Sequence, residues 1–308
     1  MISKPTVLIL GAGASKHLRY PVGSSLLNEI VSLPAGIFQK IYAEKEIRSF
    51  QLRLSRDGCY SIDEFLEKNR QFIVIGKSYI AYCLNKYEVE NNLFPPHNSG
   101  WYQYLFNRML VPSDSVSQFS DNKITIITFN YDRSLEVYLH NVIKHHYNIS
   151  EEESLNILRK INIIHPHGIL GEYPEIPYTG ALGGEIDSPE KVDLLKKITD
   201  SIKIIHEMPE TDDAFCSHEF QISNKALQEA EKIYFLGFGF HEDNIRRFRF
   251  FSPESLKSRE VLASNSGLHK IEIRELINRL NKYGFREGLF TSRGIGCESF
   301  FKAYGILE

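Results

Sequence analysis

Four stretches of this chain set polar or titratable side chains directly after an apolar run, where a backbone loop can present them to a ligand. The first is Gly11-Ala12-Gly13-Ala14-Ser15, which follows Val7-Leu8-Ile9-Leu10. Glycines in such a turn let backbone amides approach a pyrophosphate, and Ser15 adds a hydroxyl donor. Lys16 stands where a G-x-G-x-x-G fingerprint needs its third glycine, and no acidic residue marks a second strand end as a ribose ligand, so a dehydrogenase is disfavoured. A tight strand-to-helix turn with no ligand would use the same glycines.

The second stretch is Thr128-Phe129-Asn130-Tyr131-Asp132. If the chain stays extended, period-two alternation turns Thr128, Asn130 and Asp132 to one side, where they could hold a sugar hydroxyl or a water. Asn130 as a turn residue and Asp132 as the cap of the next helix is the competing account. The third is His165-Pro166-His167-Gly168, where an imidazole could act as a general base near neutral pH, or could simply be a hydrogen-bonded structural histidine. His-x-His could supply two metal ligands, but no neighbouring cysteine or carboxylate cluster completes a set, and no metal is expected. The fourth is Leu236-Gly237-Phe238-Gly239-Phe240 with Glu242, Asp243 and Asn244 behind it. Taken together, these four segments fit one crevice at the ends of parallel strands.

The elements that must position them follow from the apolar pattern. Val7 to Leu10 and Ile233 to Leu236 are short runs of the kind buried on both faces of a parallel sheet, and Ile124 to Phe129, Ile161 to Ile164 and Val261 to Ala263 read as further strands. Between them the spacing predicts helices over Ser24 to about Val31, with Ser24 available as cap, over Asp132 to about Lys144, Glu151 to Lys160, Lys191 to Lys232 with a break around Pro209 to Asp213, and Lys270 to Leu280. Residues 34–112 read as helices split by Pro95-Pro96 and Asn98 to Gly100, a helical module inserted into the sheet domain or packed on it. Gly168 to Gly184 reads as a long loop or hairpin, and Phe300, Phe301 and Tyr304 as an aromatic tail that docks on the body. Strands alternating with helices predict an α/β chain with a Rossmann-like, doubly wound, mostly parallel sheet.

The 308 residues can bury a substantial core, with 42% hydrophobic and 24% charged residues. The formal charge of −3 supplies no global positive field, so neither nucleic acid nor an anionic membrane surface is expected as a partner. The four cysteines are scattered singly, and the apolar run near the amino terminus is too short for a signal peptide or a membrane span. A cytoplasmic protein is the expectation.

Gly11-Ala12-Gly13-Ala14-Ser15 with Pro21 and Gly23, then Thr128-x-Asn130-x-Asp132, then His167-Gly168, then Gly237-x-Gly239, resembles the sirtuin-like (SIR2) family in type and order. The likeness spans residues 5 to 265 apart from the helical module and is closer to bacterial NAD-consuming proteins of anti-phage defence than to protein deacylases. It implies one NAD-binding domain over residues 1–308, with 34–112 inserted. It implies Asn130, His167 and Asp132 as catalytic residues. It further implies Gly11, Ala12, Gly13, Ala14, Ser15, Pro21, Thr128, Asn130, Gly237, Phe238, Gly239 and Asn265 as residues that bind NAD, the substrate.

The activity so implied is hydrolysis of NAD+ to nicotinamide and ADP-ribose. Such an enzyme would deplete NAD in an abortive-infection response, restrained by oligomerisation, by a separate sensor protein or by a nucleotide signal. A module that senses NAD or ADP-ribose without turnover is the alternative. Deacylation is less compatible: Arg19-Tyr20-Pro21-Val22-Gly23 lacks the Phe and Arg of the deacylase pocket, and only Cys216 lies where a four-cysteine zinc ribbon would stand.

Overall fold

The computed structural model describes all residues except 96–99, 111–115, 205–216, 266–267, 291–293, 305–306 and 308, with Glu287 described by its backbone alone. The strands form where the apolar, β-branched runs lie: β1 (Thr6–Leu10), β2 (Ile124–Thr128), β3 (Asn162–Ile164), β4 (Lys232–Leu236) and β5 (Glu260–Ala263). They build one parallel sheet in the order β3-β2-β1-β4-β5. Successive residues feed opposite cores. Leu8, Leu10, Ile126, Tyr234 and Leu236 join one apolar cluster, while Val7, Ile9, Ile127, Ile233 and Phe235 join the other. Helices therefore cover both faces, and the sheet is doubly wound in a Rossmann-like α/β fold.

The register decides what the strands can present together. Leu10 at the end of β1 pairs with Thr128 at the end of β2 and with Leu236 at the end of β4. The chain thus leaves all three strands at one level, and the four stretches singled out by sequence emerge along one edge of the sheet.

On the larger core's side lie α1 (Gly23–Ser32), α2 (Glu44–Asp57), α3 (Ile62–Lys68), α4 (Ile73–Asn85) and α5 (Gly100–Met109), followed by the single turn α6 (Val116–Phe119). Helix α1 begins a residue earlier than expected. Its cap position is Val22, and the Ser25 hydroxyl, rather than that of Ser24, bonds the Val22 backbone. Residues 34–112 contain no strand among those described. Their core is continuous with the sheet's, since Phe38, Phe50, Tyr79 and Trp101 belong to the same cluster as Leu8 and Ile126. Of the expected break, Pro96 to Ser99 lies outside the described residues.

Helix α7 (Ser134–Tyr147) starts two residues later than the apolar pattern suggested and runs through His145 and His146; α8 (Glu151–Leu158) begins on a Ser150–Glu153 capping box. The expected helical stretch over Lys191 to Lys232 comprises α9 (Pro189–Ser201) and α10 (His218–Glu229), and the break expected at Pro209 to Asp213 falls outside the described residues. Helices α7, α8 and α9 pack in the larger core, and the other face carries α10, α11 (Glu242–Arg247), α12 (Pro253–Leu256) and α13 (Lys270–Leu280). Helix α14 (Cys297–Ala303) brings the aromatic tail onto the body, with the Phe301 ring stacked 5.6 Å from Trp101 and Phe300 edge-on to Tyr234.

The loop over 168–184 is stapled from inside. Arg133 and Glu88, both fully buried, form a two-pronged ion pair, and the same guanidinium donates to the carbonyls of Gly171, Ile176 and Pro177. Asn85 closes the staple by accepting from the Leu182 amide and donating to Glu88.

Candidate active site

The two glycine stretches meet each other. Gly11 donates to the carbonyl of Leu236 and Gly13 to that of Gly237, each at 3.0 Å. A Cβ on Gly13 would lie 2.8 Å from Gly237 Cα, and one on Gly237 would lie 2.2 Å from Ala14 N. Gly237 also has φ +56°, a left-handed conformation that L side chains resist. The first demand on these glycines is therefore backbone-to-backbone contact between the loops after β1 and β4. The amides of Gly11, Gly13 and Ala14 are spent inside the protein, the last on the Gly11 carbonyl.

Beside that contact the polar residues join. Asn130 Nδ2 donates to Ser15 Oγ at 3.0 Å, and Ser15 Oγ donates to Asp132 Oδ2 at 2.8 Å. The second carboxylate oxygen of Asp132 accepts from the amide and the hydroxyl of Ser134, opening α7. The cap position of α7 is Arg133 rather than Asp132; the Asp132 carboxylate instead takes the first amide of the helix and anchors the Ser15–Asn130 pair. Thr128 Oγ1 accepts from the Asn130 amide at 3.2 Å. Burial pushes the Asp132 carboxyl up from its ordinary range, against the hydrogen bonds from Ser134 and Ser15.

The histidines differ in kind. His165 Nδ1 donates to the Asn130 carbonyl at 3.0 Å, and its Nε2 meets Glu136 Oε1 at 2.5 Å. Burial alone would lower its pKa, but the Glu136 carboxylate raises it above the ordinary histidine value. His167 is 6% exposed, lies edge-on to Phe129 at 5.0 Å, and has a buried Nε2 with no hydrogen-bond partner. Burial, with the Arg247 charge second, lowers its pKa to about 3, so it is neutral at physiological pH.

Of the remaining expected residues, Ala12 is exposed at the start of a 3-10 helical segment (Ala12–Leu18) and Pro21 is half-buried ahead of α1. Phe238 is buried with its ring 5.2 Å from Phe129. Gly239 has only the His241 ring near a would-be Cβ. Asn265 is buried beyond β5, and its Oδ1 accepts from the Ile295 amide, which ties the segment leading to α14.

Several contributors escaped the sequence reading. Tyr102 in α5 hydrogen-bonds Ser134 Oγ at 2.7 Å behind Asp132, and Trp101 Nε1 donates to the Ala14 carbonyl at 2.8 Å. Asp63 in α3 accepts from Tyr131 OH at 2.8 Å. Glu67, also in α3, has its pKa raised to about 6 by burial and by Asp243, with Arg247 opposing. Asn244 in α11 has a buried Oδ1 with no partner. Asn244 is the exception, since the sequence had already marked it with Glu242 and Asp243 behind the second glycine stretch. The others are long-range pairings that no local pattern announces.

Asn130, Asp132, His167 and Ser15 are each under a tenth exposed, so charge developing at this edge would be little screened by water. Among the described residues no group of three or more His, Cys, Asp or Glu side chains could hold a metal ion; Cys216 lies outside them. No described helix is long and apolar enough to cross a membrane. What fold and site define together is a Rossmann-like α/β protein with a hydrogen-bonded Ser–Asn–Asp cluster and a neutral histidine at the carboxyl edge of its sheet. Compared with protein-family models the sequence matches none, and it matches none of the curated proteins either.

Proposed function

We propose that this chain is an NAD+ glycohydrolase of SIR2-like type, converting NAD+ and water to nicotinamide, ADP-ribose and a proton. The observation that carries the reading is the hydrogen-bonded convergence of Asn130, Ser15 and Asp132, together with His167, packed on Phe129 in the neighbouring strand-end turn, whose buried Nε2 is unsatisfied. A buried polar atom without a partner is costly, and a substrate hydroxyl or an attacking water is the kind of group that would complete it.

Cleavage of the nicotinamide–ribose bond passes through an oxocarbenium-like state with positive charge on the sugar. Asn130, fixed by Ser15, orients the ribose or the water. His167 accepts a hydrogen bond from a ribose hydroxyl or from the water that adds to C1. Asp132 uses both oxygens within the protein, so its part is to hold Ser15 and Asn130 and to place negative charge behind the developing cation. The resemblance set out above supports a cytoplasmic, oligomeric, NAD-depleting effector of anti-phage abortive infection, held in check by a partner protein or a nucleotide signal.

One observation favours the second reading, an NAD or ADP-ribose binding module without turnover: at a pKa of about 3, His167 is a weak base. Purified protein incubated with NAD+ and followed by chromatography separates the two. Glycohydrolase activity predicts nicotinamide and ADP-ribose in equal amounts, and a rate at least about a hundredfold lower in Asn130→Ala, the scale on which loss of a transition-state hydrogen-bond donor acts. A folded Asn130→Ala that turns over NAD+ at the wild-type rate would falsify the assignment.

A further inference from the structure

Glu136, in the first turn of α7, and His165, just after β3, form a half-buried pair; the sequence left His165 open between a general base and a structural histidine and did not mark Glu136. Their hydrogen bonds dictate a protonation state. The Asn130 carbonyl can only accept, so His165 Nδ1 must carry a proton. Glu136 Oε1 lies 2.5 Å from Nε2, so one proton lies between them, and with Glu136 ionised it sits on Nε2. The ring is then an imidazolium. Against burial, the groups that raise its pKa are the Glu136 carboxyl from α7, the Asn130 carbonyl from the β2–α7 connection and the Asp132 carboxyl from the same connection.

His165 is also where two of the three candidate catalytic residues, Asn130 and His167, are joined. Its ring holds the Asn130 backbone, and its carbonyl accepts from the Gly168 amide at 3.1 Å, closing the four-residue turn that carries His167. Leu170 N donates to the Tyr131 carbonyl at 2.8 Å and fastens the same two loops a step further on. We propose that His165 is a positioning residue, a charged clamp set by Glu136 that fixes Asn130 and His167 relative to one another and opens when it loses its proton.

The proposal rests on the glycohydrolase reading for its kinetic consequence, and on geometry alone for the clamp itself. A neutral ring that keeps its Nδ1 proton turns a lone pair at Nε2 toward the Glu136 carboxylate, so deprotonation breaks the pair. In Glu136→Gln the amide can donate to that lone pair, and a neutral ring keeps its bond to Asn130 at all pH values.

Two measurements decide it. Nitrogen-15 NMR of the histidine rings in the wild-type protein at neutral pH should show one residue, lost in His165→Phe, with both ring nitrogens protonated; the Asn130 side-chain amide should shift as that ring titrates. With NAD+ as substrate, kcat should fall about tenfold per pH unit above the His165 pKa, with KM little changed, and Glu136→Gln should lack that alkaline limb. A His165 ring neutral at pH 7, or an Asn130 amide indifferent to its titration, overturns the clamp. Identical pH profiles for wild type and a folded Glu136→Gln do so too. A protein that shows the charged ring and the coupled Asn130 shift yet never consumes NAD+ retains the clamp and loses the glycohydrolase reading.

Discussion

At the residue scale, the two histidines of one four-residue turn sit on opposite sides of the ordinary imidazole pKa, and this gives stability a pH signature. His167 is lowered to about 3. Between about pH 6.5 and 3 the unfolded chain takes up a proton that the folded protein refuses, so stability falls as pH drops through that window. His165 is raised, so its contribution is present below the ordinary histidine pKa and is lost as pH rises through the raised value. His167→Phe keeps a ring against Phe129 and removes the first slope. The expectation is a melting temperature that falls less than that of wild type between about pH 6.5 and 4.5, measured by circular dichroism. Equal acid slopes would mean that His167 is protonated in the folded protein. The sequence could point to this turn because it closes an apolar run, and to His167 as its catalytic candidate, but not to which histidine is charged. Which one carries charge depends on Glu136 being 29 residues away and within reach.

At the scale of elements, the glycines were legible and their first task was not. G-A-G-A-S after a strand reads as a phosphate cradle, whereas here Gly11 and Gly13 make room for the backbone at Gly237. No local pattern shows that residues 13 and 237 touch; it follows from β1 and β4 being neighbours with their ends level. Gly237 and Gly239 look equivalent in the sequence and should behave very differently. Gly237→Ala puts a methyl 2.2 Å from Ala14 N at φ +56° and should cost more than about 3 kcal/mol, enough to leave little folded protein. Gly239→Ala meets only the movable His241 ring at 3.3 Å and should stay within about 1 kcal/mol of wild type. Urea denaturation of the two variants checks this, and comparable losses would show that the loop packing has been misassigned.

At the scale of the molecule, all five strands were visible in advance as short apolar runs; β1 and β4 are buried throughout, while the edge strands β3 and β5 are partly exposed and were legible by their place in the βα alternation. Residues 34–112 were visible as helices but not as a wall of the site, because amphipathic spacing tells which face is buried and not what it is buried against. The contacts now identify the neighbour. Trp101 bonds the Ala14 carbonyl, Tyr102 bonds Ser134 behind Asp132, Asp63 takes the Tyr131 hydroxyl, and Glu88 just beyond α4 neutralises Arg133. Each ties the helical region to a loop that carries a candidate site residue, and losing Glu88 alone would strand a fully buried guanidinium, a defect of about 3–5 kcal/mol. Replacing residues 34–112 with a flexible linker should therefore yield no cooperatively folded protein, rather than a stable sheet domain with a simplified site. Thermal unfolding and gel filtration read the outcome. A soluble remainder with a sharp transition would mean that the region is an accessory domain and that the loops hold their geometry without it. Failure to fold would mean that a ligand of the strand edge and any partner docking on these helices act on one cooperative unit, so that contact at the helical surface could reach Asn130 through Tyr102, Ser134 and Asp132.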